Sequence, residues 1–265
     1  MSNAPPGLPG SHGAKATPGQ RPVGTSEPVP RAAVTGAGSG IGACTARLLS
    51  ARGWRVAWLD RNLDAVRHEA PDGLAIPVDV ADEQSVVQAF AQVGEKLGGL
   101  DALATAAGVI ETTPLFQATP AMFRRLFDIN VIGVFLSIRE GMKLMQAGAR
   151  ICTVASVASF SGSGFVASGA YAASKGAVLT LMKSVARECG PLGIAVNAVA
   201  PGLVDTPFVG EAMANPDKRR QIEALLGDRI GTPQQVAEAI AWLLSPASTH
   251  VHGSTLVIDG GLLMR

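Results

Sequence analysis

The stretch Ala32-Ala33-Val34-Thr35-Gly36-Ala37-Gly38-Ser39-Gly40-Ile41-Gly42 decides the fold. A short apolar run of strand character ends in a glycine cluster, and a helical run, Gly40 to Ala51, follows at once. Glycine lets the chain turn sharply and lets backbone N–H groups approach a pyrophosphate, while the helix N-terminus adds partial positive charge. Strand, glycine loop and helix in that order read as a dinucleotide-binding unit. Gly36, Ser39, Gly40, Ile41 and Gly42 are its candidate cofactor contacts.

The next apolar run, Arg55 to Leu59, is followed directly by Asp60, 24 residues after Gly36. A dinucleotide fold places its ribose-binding acid there, where a carboxylate accepts the ribose hydroxyls and repels a 2′-phosphate. The loop residues Ala37, Gly38 and Ser39 offer no cation for such a phosphate. NAD is therefore favoured over NADP, with Arg61 next door keeping NADP open. The plain alternative is a solvated acid at a strand end.

Outward from this unit, short apolar runs alternate with longer helical ones. Candidate strands are Ala32 to Thr35, Arg55 to Leu59, Leu74 to Pro77, Ala102 to Ala106, Ile151 to Ala155, Ile194 to Val199 and Thr255 to Ile258. Helical patterns cover Gly40 to Ala51, Asp82 to Leu97, Pro120 to Gln146, Gly169 to Cys189 and Pro233 to Leu244. Near-continuous apolar strands alternating with helices predict an α/β fold, a doubly wound parallel sheet covered on both faces. Residues 31–265 suffice for one such domain. Residues 1–30 hold seven of the 17 prolines and five glycines, and read as a disordered Pro/Gly-rich tail.

Composition narrows the function. Lys and Arg number 22 against 21 Asp and Glu, a net charge of +1, which leaves no basic footprint for nucleic acid. No apolar run approaches the length of a membrane helix. Cys44, Cys152 and Cys189 are scattered, without a Cys-x-x-Cys pair, which argues against structural zinc and for a reducing compartment. With no signal or transit pattern at its start, the chain is expected in the cytoplasm.

The chain has one tyrosine, in Tyr171-Ala172-Ala173-Ser174-Lys175. Residues four apart share a helix face, so the phenol and the ammonium point into one space. A nearby cation is expected to lower the phenol's ordinary pKa of about 10, which would let Tyr171 exchange protons as a general acid or base. The plain alternative is a surface helix pair.

With these residues in hand the sequence resembles the short-chain dehydrogenase/reductase family over essentially all of residues 31–265. The matching motifs are Thr35 to Gly42, Asp79-Val80, Thr105-Ala106-Ala107-Gly108, Asn130, Ser156, Tyr171 with Lys175, Pro201-Gly202 and Asp259-Gly260-Gly261. The resemblance implies a seven-stranded Rossmann sheet, nicotinamide-dependent interconversion of an alcohol and a carbonyl, and a homotetramer or homodimer. It also implies roles: Ser156 holds the substrate oxygen, Tyr171 transfers its proton, Lys175 tunes Tyr171 and bonds the nicotinamide ribose, and Asn130 anchors a relay water. Asp79 and Val80 would receive adenine, Ala106 and Gly108 would border the adenosine side, and Pro201, Val204 and Thr206 would face the nicotinamide. The plain alternatives are a helix-to-strand tether for Asn130 and a strand-end turn residue for Ser156.

Two departures stand out. The family's Asn-Asn-Ala-Gly reads Thr105-Ala106-Ala107-Gly108, so any contact at Ala106 must use backbone. Ser156 precedes Tyr171 by 15 residues, two more than the commonest spacing, with Ser159 as fallback.

The segment Leu203 to Gly227 resembles the family's substrate lid and mixes Phe208, Val209, Met213 and Leu225 with Glu211, Asp217, Lys218, Arg219 and Arg220. Asp228-Arg229-Ile230-Gly231-Thr232-Pro233 resembles the 3-oxoacyl carrier-protein reductases, which keeps a thioester reductase using NADPH open beside an NAD-linked secondary-alcohol or dihydrodiol dehydrogenase. A catalytically silent dinucleotide sensor is the alternative of another class. His250 and His252 would share a face of an extended segment, but without further ligands they do not make a metal site.

Overall fold

The computed structural model describes residues 29–162, 167–210, 216, 217, 220, 224 and 230–263. The expected tail lies outside the described residues up to residue 28. So do residues 163–166 between Ser156 and Tyr171, and Glu211, Met213, Lys218, Arg219, Leu225, Asp228 and Arg229 of the expected lid and the segment after it.

Seven strands form one parallel sheet: β1 (Arg31–Thr35), β2 (Arg55–Asp60), β3 (Leu74–Pro77), β4 (Leu100–Thr105), β5 (Met145–Val154), β6 (Ala195–Pro201) and β7 (Thr255–Ile258). Their order is β3-β2-β1-β4-β5-β6-β7. The expected doubly wound α/β class is thus the observed one. Alternate residues of each strand feed two cores. Ala33, Leu103, Ile151 and Val196 pack with α3 (Glu83–Leu97), α5 (Gly133–Met142) and α7 (Gly169–Cys189) on one face. Val34, Ala104, Cys152 and Val199 pack with α1 (Gly40–Ala51) and α8 (Pro233–Leu243) on the other. Burial on both faces is why these strands read as apolar throughout.

Local chemistry sets the helix starts. Asp82 accepts the Gln84 amide, Ser168 accepts the Tyr171 amide, and Thr232 forms a reciprocal cap with Gln235 just before Pro233. The short helices α2 (Leu63–Glu69) and α6 (Ala158–Ser161) were not legible, being too short to show a period.

The expected single helix from Pro120 to Gln146 is corrected. It divides into α4 (Pro120–Phe127), a π-helical turn (Asp128–Ile132) and α5, and the chain enters β5 at Met145. Two tertiary demands explain this. Gly133 lies so close to Val80 that a Cβ would sit 2.8 Å from its Cγ2, and Asn130 is tied to the loop after β4. The widened turn admits both. At the far end Met145 pairs with Leu100, and the register shifts before Ala102 meets Arg150.

β1 and β4 are neighbours, but the chain leaves them toward opposite halves of the sheet. The crevice outside their carboxyl ends is where such a sheet binds ligands.

Candidate active site

Gly36, at φ +72°, turns the chain out of β1, and a Cβ there would lie 2.6 Å from the Ala107 nitrogen. At Gly42 a Cβ would lie 2.1 Å from the Gly36 carbonyl oxygen. These contacts press the loop against β4 and bring α1 down onto β1. Ser39 precedes α1 in extended conformation with its hydroxyl capping nothing, and the first turn of α1 carries no acid. The amides and hydroxyl at this helix start suit an anion, so the cradle fits a pyrophosphate.

Asp60 accepts the Gly38 amide at 2.9 Å through Oδ2 and the Asn62 amide at 2.9 Å through Oδ1. The acid at the end of β2 therefore also holds the glycine loop in shape. Asp79 bonds the Ala81 amide through Oδ1, and its own amide donates to the Ser85 hydroxyl. The Ala106 and Ala107 amides are held by the Thr35 carbonyl and hydroxyl. Thr105 and Thr153, at the first position of the altered motif and its register partner on β5, bury hydroxyls without hydrogen-bond partners among the described residues.

All the positions predicted for the cofactor, from Gly36 to Thr206, line one cavity of about 420 Å³, and so do Ser156, Tyr171 and Lys175. The Ser156 hydroxyl is hydrogen-bonded to the Tyr171 phenol and accepts the Ala158 amide. Ser159, the fallback, does not line the cavity; its hydroxyl is buried without a hydrogen-bond partner among the described residues. The Lys175 Nζ donates to the Val154 carbonyl at 2.8 Å and stands 5.9 Å from the centre of the Tyr171 ring.

The electrostatics correct one expectation. Tyr171 is not lowered: burial pushes its phenol up to about 12, with the Ser156 hydrogen bond pulling weakly the other way. Burial likewise pushes Lys175 down to about 8. Desolvation disfavours the charged form of each, and here it outweighs their proximity.

Asn130 stands apart from the other three. Fully buried in the π-helical turn, it does not line the cavity. Its Oδ1 accepts the Val109 amide at 2.8 Å, while Nδ2 donates to the Val109 carbonyl and to the Ser174 hydroxyl, both at 3.0 Å. The side chain thus fastens the loop after β4 to α7.

Sequence reasoning missed part of the wall. Ile110 and Leu262 line the cavity beside Leu203, Phe208 and Val209 of the expected lid. The Phe208 ring lies 6.1 Å from that of Tyr171, centre to centre, tilted by 59°. The signal for Leu262 was the glycine pair just before it. Of the expected lid, Asp217 and Arg220 form an exposed ion pair at 3.0 Å. His252 accepts the Val196 amide at Nδ1, and its Nε2 meets the Ala186 carbonyl at 2.8 Å, so both ring nitrogens are engaged by backbone.

A parallel Rossmann sheet with a glycine cradle and a Ser-Tyr-Lys cluster in one crevice defines a class of nicotinamide-dependent oxidoreductases. The family profile described as enoyl-(acyl carrier protein) reductase matches residues 36–263. The chain is 38% identical over 248 residues to 2-(R)-hydroxypropyl-CoM dehydrogenase of Xanthobacter autotrophicus, covering 86% of this chain and 96% of that one. It is 38% identical over 238 residues to cis-4-hydroxycyclohexanecarboxylate dehydrogenase of Sinomonas cyclohexanicum, covering 87% and 95%. A crystal structure of a dehydrogenase/reductase from Sinorhizobium meliloti 1021 superimposes with a TM-score of 0.81 at 33% identity, covering 88% of this chain and 94% of that one. The chain belongs to the short-chain dehydrogenase/reductase family and is an oxidoreductase acting on CH–OH groups or the corresponding carbonyls.

Proposed function

We propose that the protein interconverts a secondary alcohol and its carbonyl compound with NAD(H). The observation that carries this reading is the convergence of Ser156, Tyr171 and Lys175 on the cavity that the glycine loop and Asp60 also line. The bound nicotinamide supplies or accepts the hydride. In the reductive direction Ser156 holds the substrate oxygen by a hydrogen bond, and Tyr171, protonated at neutral pH, gives it a proton. The Lys175 ammonium favours the phenolate so formed. Both amide hydrogens of Asn130 are engaged, so we give its side chain the positioning of Val109 and Ser174.

Asp60 supports NAD over NADP, since a carboxylate repels a 2′-phosphate. A 3-oxoacyl-thioester reductase using NADPH is the second reading. Arg61 favours it by lining the cavity beside Asp60, and the description of the matching family profile names a carrier-bound acyl substrate. The exposed apolar side chains Ile132 and Phe135 on one side and Trp242 and Leu256 on another support a homo-oligomer with two kinds of contact. The three free cysteines support a cytoplasmic setting.

The test begins with NADH and NADPH titrations by fluorescence, followed by secondary alcohols, dihydrodiols, hydroxysteroids and oxoacyl thioesters with the preferred cofactor. Tighter NADH binding with turnover of an alcohol is expected. Tyr171→Phe should then lower turnover at least about 100-fold with cofactor affinity little changed. A large NADPH advantage on thioesters would replace this reading with the second. Tight binding without any turnover would leave a dinucleotide sensor.

A further inference from the structure

We infer that the hook Asp259 to Leu262 is part of the substrate site, and that Leu262 selects substrates with an apolar group flanking the carbinol carbon. This deepens the dehydrogenase reading and rests on it.

The hook is a built feature. Asp259 follows β7 directly, and its carboxylate accepts the Gly261 amide at 2.9 Å and the Leu263 amide at 2.6 Å. The Leu262 amide returns to the Asp259 carbonyl at 3.3 Å. Gly260 and Gly261 hold φ of +64° and +84°, conformations that L side chains rarely adopt, so the glycine pair turns the chain back toward the sheet. The base is also packed tightly, because a Cβ on Gly202 would lie 2.8 Å from the Asp259 Cα. The turn delivers Leu262 into the cavity that holds Ser156 and Tyr171.

Leu262 has apolar neighbours there. It packs with Val209, Ile110 and Leu203 in one cluster. Ile110 also belongs to the cluster built around Tyr171 and Ala158. The wall is therefore continuous from the proton donor to the hook. A substrate whose oxygen reaches Ser156 and Tyr171 lays one flank of its carbinol carbon along this wall. An apolar flank is rewarded there, whereas a charged one would be desolvated against these four apolar side chains.

The test uses the full chain with NADH and two probes, cyclohexanone and its 4-carboxylate. Leu262→Ser should raise the KM for cyclohexanone about tenfold, the effect of losing a buried isobutyl contact, while the NADH Kd changes less than twofold. Leu262→Arg should shift the ratio of kcat/KM toward the carboxylate by about tenfold or more. Unchanged KM and an unchanged ratio would overturn the assignment, as would a wild-type preference for the carboxylate. If NADH binds and neither ketone turns over, the dehydrogenase reading is left to the wider panel of alcohols and thioesters, and the wall is still tested. Cyclohexanone binding, read from the fluorescence of the NADH complex, then decides the wall, since Leu262→Ser must still weaken it about tenfold. The retained NADH affinity shows that each variant is folded.

Discussion

The Lys175 ammonium and the Tyr171 phenol share one face of α7, with Nζ 5.9 Å from the ring centre, and burial drives their pKa values in opposite directions, to about 8 and about 12. Tyr171 keeps its proton through the neutral range, as the proposed donor must. Lys175 is charged at pH 7 and loses its charge near pH 8. Ketone reduction, measured as kcat/KM with NADH, should hold steady from about pH 6 to 7.5 and fall above about 8. Lys175→Met should be slow throughout and lack that limb. A wild-type profile flat to pH 10 would remove Lys175 from the proton transfer.

The same shift has a stability consequence of definite sign. The amine's folded value of about 8 lies below its ordinary 10.5, so between these pH values the unfolded chain binds more protons, and stability rises with pH across that window. Below pH 8 the cost of burying the charge is present in full, on the order of 3 kcal/mol. Tyr171, raised from 10 to about 12, works in reverse, and stability falls between those values. Urea unfolding at pH 7 and pH 10 should show wild type gaining on Lys175→Met by about 1 to 3 kcal/mol. Parallel curves would contradict the buried charge.

Asp60 shapes the glycine loop and is proposed also to read the ribose, and one substitution separates these duties from a plain surface acid. Asp60→Ala removes the barrier to a 2′-phosphate and frees the Gly38 amide. The NADH Kd should rise about tenfold and the NADPH Kd should rise less or fall, narrowing the preference for NADH. Isothermal titration with both cofactors measures this. Equal weakening of the two would confine Asp60 to shaping the loop.

Asn130→Ala would strip partners from the Val109 amide and carbonyl, while the Ser174 hydroxyl would keep its bond to the Tyr171 carbonyl. Leaving buried polar groups unpaired should cost about 2 to 4 kcal/mol, read from the denaturant midpoint at constant slope. A loss under about 1 kcal/mol would mean that the tether contributes little to the fold.

How much was legible beforehand depended on the range of the interactions concerned. The glycine loop, the apolar strands, the helix α7 with its Tyr-Lys pair and the acid at the end of β2 are local patterns, and the chain alone determined them along with the doubly wound class. Turn geometry, strand burial and helix periodicity all act over a few residues, so they leave direct marks on neighbouring positions.

What only the tertiary structure decided came from segments far apart in the chain. The break of one expected helix at Asp128–Ile132 follows from Gly133 meeting Val80 and Asn130 meeting Val109. The upward shift of Tyr171 follows from burial under several elements, which no i to i+4 spacing records. Leu262 reaches the wall beside Tyr171 only because β7 carries the hook to the same crevice as the loops after β4 and β6. Desolvation and side-chain packing are sums over neighbours that the fold brings together, and the one-dimensional order of residues does not contain them.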